Sequence, residues 1–191
     1  MKHWVGVQWM KLLQTVMAVV VFSGVHAFAA SGSHSIAETQ DHMLAQVERE
    51  VVSLAEAMPA EKYDFAPTQG AFEGVRTFSL QMSHIGTVLK EFAAAILGEK
   101  EVDGGKNENG PASLHGKDAV VKYLKDSFAY SHKAMKSLTP ENYTQEVKLS
   151  WGKPARAAIA IESISHTLDH YGQAVVYARM NGIVPPASRK Q

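Results

Sequence analysis

The sequence predicts an all-α protein, a four-helix bundle preceded by a signal peptide. Three observations support this. Apolar residues recur at helical spacing in four separate stretches, each stretch closes at proline or glycine, and none shows the strict alternation of a half-buried strand.

Residues 1–29 carry the marks of a signal peptide. Lys2 and Lys11 form a short basic start. Leu12 to Val25 is apolar apart from Gln14, Thr15, Ser23 and Gly24, and Ala27-Phe28-Ala29 is the small-x-small pattern that signal peptidase reads. The apolar run falls short of the ~20 residues that a bilayer span needs, so no stable membrane anchor is expected after cleavage. Residues 30–191 are then one exported domain, periplasmic or secreted, with the periplasm preferred because nothing suggests a further export step.

The first helical stretch carries Ile36, Met43, Leu44, Val47, Val51, Leu54 and Met58, and Pro59 ends it. A turn-rich linker, PAEKYDFAPTQG, follows, with Tyr63 and Phe65 as hydrophobic plugs. The second stretch runs from about Phe72 to Leu97 with Phe78, Met82, Ile85, Leu89, Phe92 and Ile96 in one stripe, and Gly98 is placed to cap it. The next connection, GEKEVDGGKNENGPASLHG, reads as a solvated loop. Its acidic residues lack the alternate-position spacing of a calcium loop. Its length would let the third helix run parallel to the second. That third helix carries Val120, Val121, Leu124, Phe128, Met135 and Leu138 and stops at Pro140. The fourth is expected to start at Pro154, in its first turn, and to end at Asn181-Gly182 before Pro185-Pro186.

Composition removes several functions. The chain has 191 residues and no cysteine, so it forms no disulfide and offers no thiolate as nucleophile or ligand. Lys and Arg total 19 against 19 for Asp and Glu, and losing Lys2 and Lys11 with the signal peptide leaves a net charge of −2. Without a basic surplus, nucleic-acid binding lacks its main driving force.

Helix four is where chemistry is expected. Ala157, Ile161, Ile164, Leu168 and Val175 form one apolar face, and a second line opposite holds Ile159, Glu162, His166, His170, Gln173 and Tyr177. Only Ser165, Asp169 and Gly172 look suited to water, so the whole helix is expected inside the bundle with its polar line facing protein. Inward polar groups must be satisfied. Two imidazoles one turn apart can be satisfied by a divalent metal, and bundles build such sites from facing helices. The third ligand must then come from another helix. His84, at the edge of the helix-two stripe, is the best candidate, while His42, His115 and His132 sit among polar residues and are expected to face solvent. Three imidazoles leave a coordination position open, the arrangement of a catalytic rather than a structural site. Glu162 is the candidate base or ligand-orienting carboxylate. Gln173 is placed for a polar contact with substrate or ligand, or for a helix–helix hydrogen bond.

SHIGTVLKEF in helix two, and HTLDHYGQAVVYARMNGIVPP downstream, resemble the DinB/YfiT-like family of bacterial four-helix metalloenzymes. The matching positions are His84, His166, His170, Gly172, Gln173, Tyr177, Arg179, Gly182, Pro185 and Pro186, and EKYDFAPTQG resembles the family's linker. The resemblance implies up-down-down-up connectivity and a divalent ion, zinc or nickel in type, on His84, His166 and His170. It also implies a metal-dependent hydrolase or group transferase acting on a small molecule, and homodimers as a common assembly. The rival reading is a non-catalytic metal-binding or stress-related bundle. A helical interaction protein without metal is the third. An open coordination position would favour the enzyme, and a shell closed by a buried Glu162 the binding module.

Overall fold

The computed structural model describes residues 34–100 and 102–190, so the expected signal peptide and its boundary at residues 29 and 30 lie outside the described residues. Four helices make the bundle: α1 (Ile36–Ala57), α2 (Phe78–Leu97), α3 (Lys117–Lys136) and α4 (Arg156–Met180). Among the described residues there is no named strand, only two isolated antiparallel bridges, Glu146 with Ala155 and Leu149 with Gly152. No helix of the described residues is long and apolar enough to cross a membrane.

α1 starts on a capping box. Ser35 Oγ accepts the Glu38 N–H at 3.1 Å, and Glu38 Oε2 accepts the Ser35 N–H at 2.8 Å. Leu44, Val47, Val51 and Leu54 bury its inner stripe. In the linker, Tyr63 is 2 % exposed and donates its hydroxyl to Ala55 O at 2.6 Å, with its ring edge-on to Phe78. Phe65 packs edge-on against Tyr177. Both aromatic plugs therefore tie the linker to the bundle.

α2 begins six residues later than its periodicity predicts. Thr77 Oγ1 accepts the Leu80 N–H at 3.2 Å and caps the helix there. Gly74, at φ +79°, lies in a region closed to a continuing helix, and Phe72 and Val75 stay exposed. At the other end Gly98 adopts the left-handed cap conformation at φ 68°.

Contacts give the helix directions. Thr87 meets Tyr123, Leu89 O accepts from Ser131 Oγ, and Glu99 pairs with Lys133, so numbering rises together along α2 and α3. Between α1 and α3 it runs oppositely, from the Asp41–His132 pair to the Glu56–Lys125 pair. α4 also opposes α2, from Gln173 on Gln81 to Arg156 Nε on Ile96 O. The order is up, down, down, up, and the long connection after Gly98 is what makes the parallel pair possible.

That connection is more than a solvated loop. Gly104 and Gly110 lie against Thr87, with Ser83 also beside Gly110, and Gly110 N–H donates to Gly104 O at 3.0 Å. Closed over in this way, α2 is buried on every side from Gln81 to Leu89. The helix that runs through the inside of the bundle is thus α2, buried on all sides over its central turns, where α4 was expected. α4 is an ordinary amphipathic helix: Ile159, Ile164, Thr167, His170, Ala174 and Tyr177 face in, while Ile161 and Leu168 are 55 % and 42 % exposed. The expected apolar face is thus only partly covered: Ile164 is buried, while among the described residues Ile161 and Leu168 lack a covering neighbour.

α4 also starts two residues after Pro154, with Ala155 as its N-cap. The Pro154 carbonyl accepts the Val147 N–H at 2.8 Å, which holds the proline in a small hairpin, residues 146–155, closed by the two bridges. Gly182, at φ +75°, and Pro185-Pro186 close the helix as expected. Arg179 Nη2 reaches Ser188 Oγ at 3.1 Å and fastens the exit segment.

Candidate metal centre

His84 is 2 % exposed in the middle of α2, and His166 and His170 face it from successive turns of α4. Each offers one ring nitrogen, and the three nitrogens lie within 4.8 Å of one another. His84 Nε2 and His166 Nε2 are 3.1 Å apart. Two nitrogens each ~2.05 Å from a tetrahedral ion would be separated by roughly 3.3 Å, so the spacing suits shared ligation.

On two of the three rings the other nitrogen is committed outward, which fixes which atom points at the centre. His84 Nδ1–H donates to the Glu108 backbone carbonyl at 2.9 Å, and His170 Nδ1–H donates to Gln81 Oε1 at 2.7 Å. Each leaves an unprotonated Nε2 toward the centre. Burial lowers the pKa of all three imidazoles below the usual 6.5. For His170 the neighbouring His84 and His166 add to burial and take it down to about 4. The Arg76 guanidinium acts in the same direction on each. Near neutral pH the three rings are therefore uncharged, as metal ligands must be. The donor set fits a divalent ion: three neutral imidazoles converge on one point, and two of them, His84 and His170, are oriented from behind.

Two of the orienting groups lie where the sequence reading did not look. Gln81, buried at 2 %, accepts from His170 and donates its Nε2 to Gln173 Oε1 at 2.9 Å, while Gln173 Nε2 donates to Asp169 Oδ2 at 3.0 Å. Gln173 is exposed and makes the helix–helix hydrogen bond, reaching the site through Gln81 rather than by a contact of its own with a ligand. The second group is the loop between α2 and α3. Asn107 and Glu108 both have left-handed backbones, φ 57° and 56°, a conformation that costs non-glycine residues about 1–3 kcal/mol each. Arg76 holds the strained segment, donating from Nε to Asn109 Oδ1 at 2.8 Å and from Nη2 to Asn107 O at 3.0 Å. The reward is the Glu108 carbonyl on His84.

Glu162 does not join the triad. It is exposed, accepts from Ser165 Oγ at 3.3 Å, and lines the mouth of a cavity of about 330 Å³ that has His166 in its wall. The inward polar line expected on α4 is therefore split: His170 and Tyr177 are buried, His166 is half-buried, and Glu162 and Gln173 face out. His42 and His115 are exposed as expected. His132 is not; it bridges Asp41 at 2.5 Å and Glu48 at 3.0 Å and fastens α3 to α1.

Residues 43–174 match the DinB superfamily. The chain belongs to the DinB superfamily. Solved structures agree on the fold. A DinB-like protein from Bacillus subtilis is 19 % identical with a TM-score of 0.58, covering 80 % of this chain and 99 % of its own. A DinB-like protein from Bacillus cereus is 15 % identical with a TM-score of 0.63, covering 78 % of this chain and 95 % of its own. A conserved protein from Enterococcus faecalis is 14 % identical with a TM-score of 0.63, covering 78 % and 98 %. No curated protein matches the chain. At these identities the likeness speaks for the DinB bundle alone, and the site rests on its own geometry.

Proposed function

We propose that this DinB-superfamily chain is an exported, periplasmic metal-dependent hydrolase or group transferase that acts on a small molecule. Its ion, zinc or nickel, would be held by His84, His166 and His170. The observation that carries the reading is the cavity at His166, which gives the centre a solvent-connected side, while Glu162 stays at the mouth instead of closing a fourth position. A divalent ion held there would supply Lewis-acid polarisation of a carbonyl and would lower the pKa of water.

The chain's own residues do the rest. Gln81 and the Glu108 carbonyl fix the His170 and His84 tautomers. Glu162, on the turn before His166 and open to the cavity, is placed to accept a proton from an incoming nucleophile or to return one to a leaving group. Gln173 supports Gln81.

The test is metal content first and turnover second. Untagged chain incubated with zinc or nickel at neutral pH should hold close to one ion per chain, and His84→Ala and His166→Ala should hold little. A parent chain that stays empty removes the site. With a loaded parent, esters, amides and thiol adducts are assayed in turn. Absence of turnover across all three classes selects the non-catalytic metal-binding bundle.

A further inference from the structure

We infer that the cavity beside His166 takes a positively charged amine on an apolar body, which makes amine-bearing small molecules the substrate class; the word substrate rests on the proposed metal site. The ligand chemistry itself comes from the cavity walls. Its volume, about 330 Å³, is that of a small-molecule site. Val88, Phe92, Leu149 and Ile159 supply apolar surface. Three carboxylates line it, Glu91, Glu108 and Glu162, and among the described residues no lysine or arginine does. Arg76 keeps its charge while it donates to Asn107 O and Asn109 Oδ1, and it is a single guanidinium beside three carboxylates.

Three like charges beside low-dielectric walls focus a negative potential into the cavity. They repel an anion and attract a cation. A bare metal ion is the wrong size of answer. Among the described residues, the histidine triad is the one group whose ligand atoms converge closely enough to hold an ion, and the carboxylates are not part of it. The cation that fits a space of this volume between dispersed carboxylates and apolar walls is organic.

Trp151 points to the same chemistry. It stands at the tip of the small hairpin, 65 % exposed, where it contributes little to folding. Two backbone hydrogen bonds between Leu149 and Gly152, at 2.9 and 3.2 Å, fix the turn that carries it, and it forms part of the cavity wall. An exposed indole face beside carboxylates is a cation–π partner for an ammonium group.

Trp151 also supplies the readout. In the full chain with Trp4→Phe and Trp9→Phe, it is the only tryptophan left of three. Its fluorescence is titrated with 2-phenylethylamine, 2-phenylethanol and phenylacetate at neutral pH and low salt. The series is run metal-free, so that the carboxylate probe has no ion to bind, and is repeated with zinc. The amine should bind at least about tenfold more tightly than phenylacetate in the metal-free chain, the sum of several screened charge contacts. Glu162→Gln should weaken the amine about two- to fivefold and leave 2-phenylethanol unchanged, and added salt should shrink the gap. Equal binding of amine and carboxylate, tighter binding of the carboxylate, or no fluorescence change with any probe overturns the inference. Bound zinc is measured in parallel. Amine selectivity in a chain that binds no zinc defeats the metal site alone, and zinc without amine selectivity defeats this inference alone.

Discussion

Gln81 sets which nitrogen His170 turns to the metal centre. With its carboxamide oxygen 2.7 Å from Nδ1, it accepts that proton and leaves Nε2 free. Replacing it by leucine keeps the volume and the helix but removes the acceptor. Zinc affinity should then fall about 10–100-fold, the usual effect of losing such a partner, with the helical circular dichroism unchanged. Competition against a chromophoric chelator measures it. Gln173→Ala should cost less, because Gln173 acts through Gln81. Unchanged affinity in Gln81→Leu would mean that packing alone orients His170. The sequence reading passed over Gln81 because a lone glutamine beside an apolar stripe belongs to no motif. Its one signal was position: it lies three residues before His84, on the same side of the helix. The histidines were legible for the opposite reason, since imidazoles at i and i+4 on a helix expected to face protein have few other ways to be satisfied.

At the level of elements, periodicity located all four helices, because each buries an apolar stripe against its neighbours. It misjudged α4, since hydropathy marks which residues are apolar and not which have a partner. Ile161, Leu168, Val176 and Met180 all lie more than 40 % exposed on its outer side. Gly172 sits mid-helix near them, and a Cβ built there meets nothing within 4 Å. A helix-interior glycine costs up to ~1 kcal/mol relative to alanine, so Gly172→Ala should raise the thermal midpoint by a few degrees. A lower midpoint would show that the glycine's own backbone approach is needed. The loop after α2 was misread as merely solvated because its role is played by backbone atoms. Its strained Asn107–Glu108 turn depends on Arg76. Arg76→Ala should speed hydrogen exchange at the Gly110 N–H, which closes onto Gly104 O, while leaving exchange in the α2 interior unchanged.

For the molecule as a whole, the triad couples stability to pH and to metal. The three imidazoles titrate below 6.5 in the folded chain and near 6.5 when unfolded. Between those values the unfolded chain binds protons that the folded chain refuses, so falling pH favours unfolding. The contribution is fully present above pH 6.5. It is lost progressively below that, until His170 protonates in the fold at about 4. Glu99, held down by its Lys133 partner, and Glu141 have pKa values lowered from 4.5, so their losses fall below that pH. The window from 4.5 to 6.5 therefore belongs to the histidines. The metal-free full chain should show a thermal midpoint that is level above pH 7 and declines steadily from 6.5 to 4.5. Zinc at about 100 times its Kd should add ~2.7 kcal/mol at neutral pH. That increment should shrink across the same window as protons compete for the rings. A double variant, His84→Leu and His170→Leu, should flatten the metal-free profile and lose the zinc increment together. A parent profile already flat between 4.5 and 6.5 would show that the buried rings take up protons as readily as they do in water. The neutral, converging donor set would then be gone.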